Sequence, residues 1–484
     1  MFLIQHLRQV PPMVRNGVLA IIATFIGVVG LYSIIFPWTG NDDSLPHLDY
    51  VWQVSHGDLP RFAEGTMYPF IGKFPLQYVS NHPPLYYAIQ APVMKLFLDG
   101  GDWQIAVALG RGVNILLGIA CIVALAWAGW VFSSRNRTFT LLLPAVGAFY
   151  ITFIQVIGNI MNDSLIVLFS TIALTLSYLV LKEGPEKKYL VWLAVVSALG
   201  LLSRSTYVVP LFISLAAIVI AYSGLLGKRS HIDFRNSGKG ILVAVVILVC
   251  AVVPSSWFYL RNYEQSGSFL KTSNGKNAIT EQRRYKSLPE VVTSPYLYNA
   301  ATIAPLGRMN KEQLNLPFTV IAAVVAIVAA TTRNEWKKLL GRKHQVVMAG
   351  LLILYFGLIL ATQIDHAWGY GQYSARYLLP ALLPVGLVVS YALFSLRKAL
   401  PYAVVAFILV TSMQAIWQIA DRLSTRQPDI YAGMNWVEIA GEAIVQNNVP
   451  LVLACMLIIL ALTGISWLFW LLSYGDKKEG SRNA

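Results

Sequence analysis

Residues 41–50 read NDDSLPHLDY and crowd Asp42, Asp43, His47 and Asp49 onto the end of an apolar run, GVLAIIATFIGVVGLYSIIF, at 17–36. A carboxylate is suited to taking a proton from a hydroxyl. The planar fork of arginine is suited to gripping a phosphate oxyanion. Arginines recur at the ends of other apolar runs: Arg111 in LGRGVN, Arg204 in LSRSTYVVP, Arg261 in PSSWFYLRN and Arg376 in YSARYLLPALLP. Asp163 in MNDSL starts another such run, and His82 in NHPPLYY stands before two prolines in the first long connection. A few carboxylates facing several arginines fit proton abstraction from a hydroxyl beside a phosphate. Ionisable groups within membrane segments are functional candidates by default. Each also has a plainer reading. The arginines suit interfacial anchors that snorkel, and Asp163 after Asn162 suits a helix cap. His82 suits a turn before two prolines, Asp49 a water-facing helix position, and Asp42 and Asp43 a solvated turn.

The elements that must carry these residues are membrane helices. The chain has 484 residues, of which 56% are hydrophobic and 12% charged, with a mean hydropathy of +0.59. A soluble chain carries about 25% charged residues, so an all-α polytopic membrane protein is expected. Apolar runs lie near 17–36, 104–132, 138–158, 163–181, 188–203, 206–226, 240–260, 316–332, 345–363, 374–396, 401–420 and 450–473. They make about twelve spans, and the first reads as an uncleaved anchor. Cys121, Cys250 and Cys455 all fall in apolar runs and read as small hydrophobes, not as a disulfide framework.

Charge sets the orientation. With a cytoplasmic N-terminus, the inside segments hold 21 Lys and Arg against 6 Asp and Glu, and the other side holds 16 against 17. Every short inside loop is then basic, as the positive-inside rule requires. The net charge of +14 is thus accounted for by topology, without a nucleic-acid partner. The long connections, 37–103, 261–315 and 421–449, fall outside. Pro83 and Pro84 suit a helix start, and the apolar stretch after them is too short to span, so an interfacial helix is expected near 81–98. A second is expected near 436–445. The chain divides into a catalytic membrane region over 1–420 and a terminal unit over 421–484, made of an outer loop with an amphipathic helix, a last span and a cytoplasmic tail.

The order of motifs carries a resemblance. An acidic pair after the first span is followed by a histidine–proline interfacial helix, NDSL, a basic residue before TYVVP, WFYLRN and RYLLPALLP. From about residue 17 to 396 this order resembles the GT-C class of glycosyltransferases, in its protein-mannosyltransferase and aminoarabinose-transferase branch. The family pattern there is Asp-Glu, a short gap and His; DDSLPH puts Asp43 at the Asp position and Ser44 at the Glu position, which leaves open whether Asp42 or Asp43 is the base. The resemblance implies inverting transfer of a sugar from a polyprenyl-phosphate donor, its tail between helices in the outer leaflet, to a hydroxyl acceptor on a glycan, lipid or protein. Arg111, Arg204 and Arg376, with Arg261, would then balance the leaving phosphate. His47, Asp49, His82 and Asp163 would support the site or meet the acceptor. Some branches use a divalent cation, Mg or Mn, and others none; Asp43, Asp163 and His82 would be its mixed ligands. The expected location is the plasma (inner) membrane, with both termini cytoplasmic and the site on the outer face.

Two other classes remain open on sequence. A transporter or lipid flippase would share the span number, but its charges belong near the bilayer midplane and its halves often repeat. A glycan polymerase or ligase would lean on the outer loop 261–315, which carries eight basic residues.

Overall fold

In the computed structural model, the residues described are 11–38, 44–70, 72, 74–226, 233–269, 287–294, 297, 342–370 and 374–480. Their regular structure is entirely helical. The elements are α1 (Pro12–Ile35), α2 (Ser44–Ser55), α3 (Leu85–Asp99), α4 (Trp103–Phe132), α5 (Arg137–Ala148), α6 (Ile151–Ile157), α7 (Asp163–Glu183), α8 (Lys187–Leu201) and α9 (Val208–Tyr222). There follow α10 (Phe234–Ser266), α11 (Leu288–Thr293), α12 (Lys343–Tyr370), α13 (Leu382–Ser395), α14 (Leu400–Arg426), α15 (Pro428–Tyr431), α16 (Trp436–Gln446) and α17 (Leu451–Gly480).

Nine helices among the described residues are long and apolar enough to cross a membrane, ten if α5 and α6 form one span bent by 63°. The expected span at 188–203 is α8, whose 15 residues reach only about 22 Å against a hydrocarbon core of about 30 Å. The expected span at 316–332, and most of the 261–315 loop, lie outside the described residues. Both expected short helices are present. The first, α3, starts directly after Pro84, and α16 opens on a capping box in which Asn435 accepts from Glu438 N and Glu438 reaches back to Asn435 N.

The packing follows from composition. The apolar window of α7 is 83% buried, so this helix lies in the interior with α4, α8 and α9 around it. On α10, α12 and α17 only 28% of the window is buried, and their exposed Val, Leu and Ile belong to lipid. Cys121 is buried, whereas Cys250 and Cys455 are exposed on two of these outer helices, so only the first is an interior hydrophobe; all three are free thiols. The chain ends meet where α1 crosses α17 on small residues. A Cβ on Gly464 would lie 2.7 Å from Ala20 O, and one on Gly27 would lie 2.7 Å from Ala461 N.

Candidate active site

The polar residues converge on one five-residue turn, 158–162, between α6 and α7. Asn159 anchors it. Its Oδ1 accepts from Ser44 Oγ at 2.9 Å, and its carbonyl accepts from Asn114 Nδ2. Asn114 Oδ1 accepts from Tyr86 OH (3.0 Å) and Gln90 Nε2 (3.2 Å). One buried network thus joins α2, α3, α4 and the turn. Asn114 lies one turn beyond Arg111 on the buried stripe Val107, Gly110, Arg111, Asn114, Gly118 of α4; residues three or four apart share a helix face.

The turn delivers Asp163 to the first position of α7, where the helix dipole favours a carboxylate. Arg204, between α8 and a short 3-10 turn at Ser205–Tyr207, reaches across and forms an ion pair with Asp163 through Nη1, which also lies 3.4 Å from Asn162 Oδ1. The two side chains are 5% and 2% exposed, so this is a buried pair. Arg376 comes from the 3-10 turn Ala375–Ala381. Its guanidinium and that of Arg204 lie 5.2 and 5.4 Å from the ring centre of Tyr377, and its Nη1 is 3.8 Å from Met161 Sδ. Two guanidinium groups therefore share one aromatic ring.

On the other flank, His47 lies against His82, ring centres 6.0 Å apart, and its Nδ1 is 2.8 Å from Tyr87 OH. The carbonyl of His82 accepts from Tyr50 OH. Burial foremost, then Arg204, His47 and Arg376, holds the His82 imidazole well below its ordinary pKa of 6.5. His82 is therefore neutral near pH 7.

The remaining expected residues have other work. Asp49 is fully buried rather than water-facing. It accepts from Met67 N (2.6 Å), Tyr68 N (2.7 Å), Gln53 Nε2 (2.8 Å) and Gln77 Nε2, and so ties the connection between α2 and α3 to α2. Burial pushes its carboxyl above the usual range, against the pull of those four donors. Arg261 donates to Leu59 O (2.9 Å) and Pro60 O (3.0 Å) and holds the same connection. Arg111, expected on a phosphate, is 2% exposed and donates to three carbonyls at the end of α1: Ser33 O, Phe36 O and Pro37 O, at 2.5, 2.9 and 2.6 Å. Its plane lies over Trp38 and Phe36. The reason is local: α1 stops at Pro37, its last carbonyls have no partner within the helix, and a buried guanidinium satisfies them. Asp42 and Asp43 lie outside the described residues. His47, His82, Asp163, Arg204 and Arg376 are thus brought together, while Asp49, Arg111 and Arg261 shape what surrounds them. The sequence reading passed over Asn114, Asn159 and Tyr377; an Asn one turn beyond an Arg in an apolar span, and a Tyr beside an Arg at a span end, were the available signals.

No group of three or more His, Cys, Asp or Glu among the described residues is placed to hold a metal ion. Beside Arg204 the surface opens into a cleft of about 310 Å³ between α9 and α10, lined by Leu201, Ser205, Val208, Val252, Tyr259 and neighbours, and almost wholly apolar.

Residues 81–257 match the family model of dolichyl-phosphate-mannose-protein mannosyltransferase. His82, Arg111, Asp163 and Arg204 all fall within the matched stretch. In sequence, the chain matches no curated protein. In structure it is similar to ArnT from Cupriavidus metallidurans bound to undecaprenyl phosphate, with 16% identity and a TM-score of 0.48 over 95% of this chain and 75% of that one. It is also similar to the oligosaccharyltransferase of Archaeoglobus fulgidus in the apo form, with 13% identity and a TM-score of 0.47 over 96% of this chain and 56% of that one. The chain is a multi-helix membrane protein that resembles GT-C glycosyltransferases of the mannosyltransferase type.

Proposed function

We propose that this chain is an inverting glycosyltransferase that moves a sugar from a polyprenyl-phosphate donor to a hydroxyl acceptor at the outer face of the membrane. The observation that carries the reading is the overlap of the family match with the buried cluster. The matched stretch supplies Asp163 and Arg204, which pair with each other, and Arg204 shares the Tyr377 ring with Arg376. Ser205, next to Arg204 in the chain, lines an apolar cleft. That combination suits an amphipathic donor, with its phosphate at the guanidinium groups and its prenyl chain in the cleft. The charges gather at span ends rather than at mid-helix, which favours interfacial chemistry over transport.

In this reading Asp43, or Asp42 as the alternate, takes the proton of the acceptor hydroxyl. The acceptor oxygen forms its bond to the anomeric carbon as the bond from that carbon to the phosphate oxygen breaks. The electron pair leaves with the polyprenyl phosphate, where Arg204 and Arg376 meet the growing charge. Arg111 takes no part in that contact; it fixes the end of α1. Asp163 keeps Arg204 in place, and neutral His82 adds no competing charge. Asp163 meets Arg204 through Oδ1, and its Oδ2 is buried without a hydrogen-bond partner among the described residues. The orientation, with both termini cytoplasmic, follows the charge division.

The test uses the purified chain in nanodiscs with a panel of polyprenyl-phosphate sugars, read as release of polyprenyl phosphate and as donor affinity. Arg204→Ala and Arg376→Ala should weaken donor binding strongly. Arg204→Lys should weaken it less, because an ammonium keeps the charge and loses the fork. Of Asp43→Asn and Asp42→Asn, one should abolish release while leaving donor binding intact. Unchanged donor affinity in both alanine variants would reject the phosphate clamp, and full activity in both asparagine variants would reject the base.

A further inference from the structure

Asn136, Asn162 and Asn435 each stand directly before a helix, and they do not do the same work. Asn136 and Asn435 cap α5 and α16 with their side-chain oxygens. Asn162, before α7, makes no such cap. Its Oδ1 lies instead 3.4 Å from Nη1 of Arg204. A guanidinium only donates, so the amide oxygen must face it and the amide nitrogen must face away. That Nδ2 is buried and has no hydrogen-bond partner among the described residues, and the same holds for Oδ2 of Asp163, the next residue. Both residues are 1% exposed. The nearby Asn114 is paired at both ends, Nδ2 with Asn159 O and Oδ1 with Tyr86 and Gln90. Buried polar atoms are rarely left unmet. An unpaired donor and an unpaired acceptor on adjacent residues, both set against one guanidinium, therefore call for a ligand.

The two atoms narrow its chemistry. A phosphate would accept from Asn162 Nδ2 and be repelled by Asp163 Oδ2. A cation would bind Asp163 Oδ2 and be opposed by the amide N–H. A hydroxyl both donates and accepts, and so answers both. Arg204 sets which hydroxyl. With a donor phosphate on its remaining nitrogens, the sugar carbon bonded to that phosphate is the anomeric carbon, and the nearest hydroxyl is on the next carbon of the ring. We propose that Asn162 and Asp163 form a hydroxyl-binding subsite for the donor sugar, and that the chain selects donors with a free 2-hydroxyl. The proposal rests on the phosphate clamp of Arg204 and Arg376 put forward above. Arg376 and Tyr377, which flank Arg204, are half-buried, so this side of the cluster reaches the surface. A hydrogen bond to the 2-hydroxyl also suits the reaction, because it strengthens as positive charge grows on the ring in the transition state.

The test measures affinity on the purified chain in nanodiscs. The probes are the polyprenyl phosphates of mannose, of glucose and of 2-deoxyglucose, which lacks the 2-hydroxyl of both, with bare polyprenyl phosphate as the reference. The native chain should bind the mannose or the glucose donor about tenfold more tightly than the 2-deoxy donor, the worth of a hydrogen bond to a charged group. Asn162→Ala should shrink that preference by about threefold or more, as one lost neutral hydrogen bond does. Its affinity for the 2-deoxy donor and for bare polyprenyl phosphate should stay within about twofold of native, since neither ligand offers the hydroxyl. If the alanine variant does not fold, Asn162→Asp keeps an oxygen on Arg204 and loses the N–H; it is read by the same ratio of donors, which cancels any change in phosphate affinity. Asp163 is left intact, because its loss also frees the charge of Arg204. A purely structural Asn162 would weaken all four ligands alike, and that result would overturn the proposal. So would a native chain that binds the 2-deoxy donor as well as both hydroxylated ones, which leaves the two atoms to water. Arg204→Ala separates this subsite from the clamp. If it leaves the affinity for bare polyprenyl phosphate unchanged, the clamp has failed; a 2-hydroxyl preference that Asn162→Ala still reduces would then uphold the subsite alone, and no such preference would overturn it as well.

Discussion

Asp49 offers the cleanest measure of how the connection between α2 and α3 is built. Its carboxylate is fully buried and accepts from two backbone amides and two glutamine side chains. Consider Asp49→Ala. Gln77 Nε2 keeps a second acceptor, Pro46 O at 3.0 Å, and so loses little. Gln53 lies one turn away on α2 and keeps its place in the helix. Met67 N and Tyr68 N have no other acceptor among the described residues. Each buried donor left unpaired costs about 1–3 kcal/mol, so the two amides alone cost roughly 2–6 kcal/mol. Burial of the carboxylate itself is unfavourable and returns part of this, which places the net loss at about 2–4 kcal/mol. The loss should be local, because those bonds hold residues 67–77 to α2 and none reaches a membrane span. Trypsin cleavage after the exposed Arg61, timed in nanodiscs, reads local opening directly. The Asp49→Ala chain should be cut at least tenfold faster than the native chain, roughly the factor that 1.4 kcal/mol represents. Asp49→Asn should fall between them, since one carboxamide edge still accepts while the other opposes a donor. A cleavage rate for Asp49→Ala equal to the native rate would mean that Asp49 does not hold the connection between α2 and α3.

Two further perturbations probe other parts of the argument. His82 is held neutral by burial and by Arg204, Arg376 and His47, so its folded pKa lies below the unfolded value of 6.5. The unfolded chain then binds the extra proton first, and this group's contribution to stability is whole above pH 6.5 and is lost as pH falls through the folded pKa. Thermal midpoints between pH 7 and pH 5 should therefore fall more steeply for the native chain than for His82→Gln, and parallel profiles would refute the assignment. At the crossing of the two end helices, Gly464→Leu puts a side chain against the α1 backbone at Ala20 and Thr24. Overpacking costs about 1–3 kcal/mol where side chains can yield, and more against backbone. A lower melting temperature together with faster labelling of a cysteine placed at Trp38 is expected, and an unchanged melting temperature would show that the helices do not meet there.

The helices were legible because the bilayer writes its thickness into the sequence. Runs of apolar residues mark most of the described spans, though not the short α8, and the prolines at 83 and 84 mark the start of α3. The level of the polar residues was legible too, since Arg111, Asp163, Arg204 and Arg376 all stand near span ends on the side assigned to the outer face. What hydropathy does not carry is the partner. Arg111 and Arg204 look alike as single cations beside apolar runs, yet one turns to the carbonyls of α1 and the other to Asp163. The difference arises from which helix end comes to lie opposite each, and that is settled by packing. Asp49 looked solvated because a lone Asp in an outer segment usually is; its four donors come from residues 4 to 28 positions away. Asn447 and Trp38 meet across 409 residues, and no local pattern announces such a contact. Likewise α8 reads as a span by hydropathy and ends early because the chain must turn at Arg204 to meet the Asp163 turn.

The distribution of charge bears on how such a site can hold an anion and still let it go. Among its described residues, two arginines, Arg204 and Arg376, stand against one carboxylate, Asp163, with His82 neutral. A guanidinium has five donors, and Asp163 and Asn162 engage only Nη1 of Arg204. The pair thus lowers the cost of keeping Arg204 buried between turnovers without saturating it. It also weakens the pull of Arg204 on a phosphate, because the cation is already partly compensated. Arg376, half-buried and stacked on the same tyrosine ring, supplies a second cation. In the proposed reaction, an arrangement of this kind would grip an incoming phosphodiester modestly and a leaving phosphate, with its additional charge, more strongly. That difference between ground and transition state is what accelerates a reaction. Replacing Asp163 with Asn would shift the balance towards the ground state: donor should bind more tightly to an uncompensated Arg204, and turnover should not rise with it.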